Sequence, residues 1–92
     1  MTEKEIVAVL VKKFLFAVNE YNYMVVNGTF SQWQVSLAKY ETLRDSLTSI
    51  GYPPIVKLSR VSVYGVERQV YSSVVVDSKM YRVGGFNDSS KA

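Results

Sequence analysis

Eight carboxylates, eleven lysines and arginines and a scatter of serines are the groups with which this 92-residue chain could do chemistry; it holds neither histidine nor cysteine. Without those two types the usual general base near neutral pH, the thiolate nucleophile, the disulfide and the commonest zinc ligands are all missing. A serine nucleophile would need a lysine as its base, and no glycine-flanked turn of the G-x-S-x-G kind is present to hold one. Gly84-Gly85 follows an expected strand but leads into a small, polar tail instead of a helix, so it is no phosphate cradle. The carboxylates fall on helix positions expected to face water or on turns, which offers no acid and base pair. These residues predict a non-enzyme without metal or cofactor.

Two other residue sets point towards binding. Residues 1–51 balance five basic against five acidic side chains, whereas 52–92 carry six against three, so the whole net charge of +3 belongs to the second half. Within it, Lys57, Arg60, Gln69, Tyr71 and Arg82 form a candidate nucleic-acid face on which arginines would neutralise phosphates and the tyrosine would stack on a base. The competing expectation is an ordinary solvated strand face where Glu67 balances an arginine, since stacking platforms normally show more than one aromatic.

The second set lies near the amino terminus, where Val9, Leu15, Phe16 and Tyr23 fall outside the main apolar stripe of a helix. A helix apolar on more than one face is either buried on all of them or keeps one for a partner. Both outcomes are open at this level, and the second makes these four residues a candidate protein interface, including one with another copy of the chain.

The elements that must position these residues follow from period and punctuation. Thr2 and Glu5 have the spacing of a capping box, and Ile6, Leu10, Phe14, Ala17, Tyr21 and Met24 recur at helical steps, with Val7, Val11, Val18 and Val25 beside them. The spacing predicts a first helix over about 3–26, stopped at Asn27-Gly28. Asn22 falls on its polar strip. Ser31 and Gln34 suggest a second capping box, with Phe30 stapled to Val35, and Trp33, Leu37, Tyr40, Leu43, Leu47 and Ile50 make the stripe of a helix over about 32–50. Ser36 and Arg44 are expected on its wet face. Gly51-Tyr52-Pro53-Pro54 then ends helix, because glycine takes a left-handed cap and proline offers no backbone donor.

Past that hinge the apolar period changes from helical to alternating. Hairpins at Tyr64-Gly65 and Asp77-Ser78 would set residue 63 against 66 and 76 against 79. In that register Val61, Val63, Val66, Val70, Val74, Val76, Tyr81 and Val83 share one face, and Arg60, Gln69, Tyr71 and Arg82 the other. Val56 and Leu58 are out of phase with Val61 and Val63, which predicts a bulge near Ser59 and turns Lys57 away from its two neighbours.

The result is an α+β domain over 1–83, an antiparallel helical hairpin packed on a three-stranded antiparallel sheet over about 55–83 (ααβββ), followed by a flexible tail over 84–92. The run Ile6 to Val18 is broken by Lys12-Lys13 and shorter than the ~20 residues that cross a bilayer, and the acidic start lacks the charge order of a secretory signal. The expectation is a cytoplasmic protein that does not enter membranes. Functionally, the chain is expected to be a small interaction module that binds a host protein as phage and mobile-element modulators do, and that self-associates through its first helix. The alternative is nucleic-acid binding by the basic strand face.

Overall fold

A computed structural model describes residues 2–83; the tail expected over 84–92 lies outside the described residues. The order is α1 (Glu3–Asn27), α2 (Phe30–Ser49), β1 (Ile55–Val63), β2 (Val66–Val76) and β3 (Lys79–Arg82). The three strands form one antiparallel sheet in the order β1-β2-β3. The domain has the predicted α+β, ααβββ arrangement.

α1 opens on the expected capping box. The Thr2 hydroxyl accepts from the Glu5 amide at 3.2 Å, and the Glu5 carboxylate accepts from the Thr2 amide at 3.1 Å, which lowers the Glu5 pKa. The helix ends where the Gly28 amide donates to the Met24 carbonyl at 2.8 Å. Gly28 is needed for closeness alone: its backbone is extended, but a Cβ there would stand 2.9 Å from both the Met24 carbonyl oxygen and its sulfur.

α2 starts two residues earlier than its sequence suggests. Its cap is Thr29, whose hydroxyl accepts from the Gln32 amide at 3.3 Å, while the Gln32 side chain accepts from the Thr29 amide at 2.9 Å. Thr29-x-x-Gln32 meets the same chemical requirement as Ser31-x-x-Gln34 and comes first after the Gly28 stop, so it wins. Phe30 then packs edge-on against Trp33 with ring centres 5.4 Å apart, and Val35 stays exposed. Ser36 is buried, not wet, because it lies four and eleven residues before Tyr40 and Leu47 on the same face. The helix closes as expected: Gly51, at φ +92°, lets its own amide reach Thr48 and that of Tyr52 reach Leu47.

Both hairpins have the predicted registers, Val63 opposite Val66 and Val76 opposite Lys79. The irregularity, however, is in β2 and not near Ser59: Lys57 pairs with Ser73 and Leu58 with Tyr71, so Ser72 is the extra residue. This location has a large consequence. The extra residue lets Tyr71, opposite Leu58, turn towards the helices, while Val70 just before it stays fully buried and Arg68 reaches the Val25 carbonyl of α1. Of the valine face predicted from sequence, Val63, Val70, Val74, Val76 and Val83 are buried and Val61 and Tyr81 half-buried, whereas Val66 is exposed. Val74, Val76 and Val83 join Val11, Phe14, Val18, Tyr40 and Leu47 in the main core; Val63 and Val70 are buried apart from it.

Candidate docking groove and the basic strand residues

Seven residues advance an α-helix by almost two full turns, so Val9, Phe16 and Tyr23 stack along one line of α1. That line points away from the sheet. Phe16 is 70% exposed, Tyr23 51% and Val9 41%, an unusual amount of open apolar surface for a helix whose other side is fully buried at Phe14, Val18 and Val25. Leu15, expected with them, is only partly exposed and packs against the main core beside a separate cleft lined by Val7, Tyr52 and Tyr81. The candidate interface thus keeps Val9, Phe16 and Tyr23 and loses Leu15.

Val9 and Phe16 form one wall of an open groove of about 940 Å³ between the helices. Val35 and Leu43 of α2 form the other, with Ala17 and Ala38 between them. The alanines matter, since small side chains there leave room for another backbone to come close. Charge lies only on the rim, as Lys12, Lys13, Glu20 and Lys39. Glu20 accepts from the Lys39 ammonium at 3.5 Å, a surface pair of small energetic value. The α2 residues of this groove were not singled out from sequence. Their signal in the sequence is Val35, an apolar side chain off the second helix's stripe.

The groove is held in shape by what lies behind α1. Asn22, expected on the polar strip, is fully buried and lies against β2 just past the point where β3 stops. Val83 donates to the Ser72 carbonyl at 3.2 Å, and beyond it the Asn22 side chain replaces a strand: its amide donates to the Tyr71 carbonyl and its oxygen accepts from the Tyr71 amide, both at 2.8 Å. Three residues further along each element, the Arg68 guanidinium donates to the Val25 carbonyl and stands 5.9 Å from the Trp33 ring centre. These contacts fix the C-terminal end of α1 against β2.

Tyr71 leaves the nucleic-acid set for the same reason. The bulge turns it towards the helices, where its ring stacks on Tyr40 at 5.0 Å and packs against Tyr21 at 5.3 Å, and Phe14 packs on Tyr40 at 5.2 Å. Burial is the main cause that raises the pKa of the Tyr71 and Tyr21 hydroxyls above the ordinary tyrosine value. The remaining members are all exposed: Lys57 and Arg82 flank Ser73 on one side of the bulge, and Arg60 and Gln69 are opposite each other beyond it. Arg60 is also paired with Glu67 at 3.3 Å.

Among the described residues no cluster of three or more acidic side chains is arranged to hold a metal ion, and no helix is long and apolar enough to cross a membrane. No family model, curated protein or solved structure matches the chain.

Proposed function

We propose that this chain is a non-enzymatic protein-interaction module, and that its docking face is the groove between α1 and α2. The observation that carries this reading is Phe16, 70% exposed on a helix whose opposite side is sealed, beside a groove with an apolar floor and a charged rim. The occupant that fits is an amphipathic helix. A long trough between two antiparallel helices, with Ala17 and Ala38 at its floor, admits a third helix at close range, and the rim of Lys12, Lys13 and Glu20 calls for a stripe flanked by both charge signs. Modulation of a host protein by occupying one of its surfaces is part of the same proposal. Nucleic-acid binding gains no support, because its one aromatic, Tyr71, is packed in the aromatic cluster and Arg60 is paired with Glu67.

The test is a photoreactive benzoylphenylalanine at position 16, with the adducts mapped by mass spectrometry in the producing cell. The account predicts adducts concentrated on one helical segment, and their loss when Val35→Lys places a charge in the groove. Adducts scattered over unrelated segments, or unaffected by Val35→Lys, would contradict it.

A further inference from the structure

α1 itself has the pattern that the groove requires. Val9 lies seven residues before Phe16 and Tyr23 seven after, so the exposed stripe is symmetric about Phe16. Charge on the groove side of that stripe is antisymmetric: Lys13 comes three residues before Phe16 and Glu20 four after. A stripe that is symmetric in shape and opposite in sign about one residue is complementary to itself when reversed.

We infer that the helix received by the groove is α1 of a second copy, laid antiparallel with a two-fold axis passing beside Phe16. This rests on the docking role proposed above for the same groove. In that arrangement Phe16 packs next to its own counterpart and against the small floor at Ala17 and Ala38, and Val9 meets the partner's Tyr23. Lys13 falls within one residue's rise of the partner's Glu20 on the same flank, about 1.5 Å along the axis, and the two-fold creates this pair twice. Glu20 is then shared between the partner's Lys13 and its own Lys39. A parallel arrangement would instead set Lys13 against Lys13 and Glu20 against Glu20, which selects the antiparallel one. The product is a four-helix layer, α1 and α2 from each copy, with the two sheets on its outer sides.

Sedimentation equilibrium across the micromolar range tests the inference. The unmodified protein is expected at twice 10.4 kDa and Phe16→Glu at the single mass, with unchanged circular dichroism showing that the variant still folds. Lys13→Glu alone and Glu20→Lys alone should each dimerise at least tenfold more weakly, since each homodimer repeats a like-charge contact. Their equimolar mixture should regain the dimer, because each variant then meets the opposite sign twice. A wild-type mass of one chain, or a mixture no tighter than its parts, would overturn the inference. Benzoylphenylalanine adducts at position 16 confined to a helix of a different protein would also overturn it while leaving the docking groove standing.

Discussion

Asn22 makes the fold dependent on a single side chain in a way its residue type conceals. An asparagine on a helix normally belongs to the wet side, yet this one supplies the donor and the acceptor that β3 is too short to give Tyr71. Asn22→Leu keeps a similar volume and strands both Tyr71 backbone groups; urea denaturation is expected to show a loss of about 3 kcal/mol, and a loss near zero would mean those groups find other partners. Tyr71 gives a second handle at this scale. Burial raises its hydroxyl pKa above 10.0, so the unfolded chain releases that proton at lower pH than the folded one does. Stability is therefore full below about pH 10, the ordinary tyrosine value, and falls as pH rises above it. Tyr71→Phe should make that alkaline decline in melting temperature shallower; an identical slope in both proteins would assign the decline elsewhere.

Among the elements, helices were more legible in the sequence than the sheet, for physical reasons. Thr2 with Glu5, Asn27-Gly28 and Gly51 are local signals whose chemistry is completed within a few residues, and α1 and the end of α2 form where they direct. The start of α2 offered two equivalent capping boxes, and spacing alone does not rank Thr29 above Ser31. In the sheet, the phase break between Leu58 and Val61 is visible in β1, but a bulge leaves the same mark whichever strand carries it. Assigning it to β1 puts Tyr71 with Arg60 on the outside; its true place at Ser72 moves Tyr71 into the aromatic cluster. The groove was half legible, since Phe16 and Val9 stand out by period, while Ala38 and Leu43 become part of it only through the packing of α2 on α1. The turns are open to improvement: Asp77 and Ser78 both have positive φ, 52° and 64°, which ordinary side chains resist. Ser78→Gly is expected to stabilise the protein by about 1 kcal/mol in urea denaturation, and destabilisation would show that the hairpin is not strained there.

Viewed whole, the molecule has its basic excess on the strands and its apolar groove between the helices. Lys57 and Arg82 present one small positive patch, and Arg60 beyond the bulge is paired to Glu67. A labelled single-stranded oligonucleotide should accordingly show no anisotropy change near about 0.15 M salt, where surface charge is screened beyond about 8 Å. Tight binding there, lost on replacing Arg60 and Arg82 together, would restore the nucleic-acid alternative. The helices carry the proposed contact, in which an antiparallel second copy covers the Val9–Phe16–Tyr23 line of α1. The absence of native cysteine makes disulfide trapping the most direct measurement. In an antiparallel pair Val9 is next to the partner's Tyr23 and about 21 Å along the helix from the partner's Val9. Val9→Cys and Tyr23→Cys mixed under mild oxidation should yield a cross-linked dimer rapidly, and either variant alone should yield little. Equal cross-linking of Val9→Cys with itself, or none in the mixture, would contradict the account.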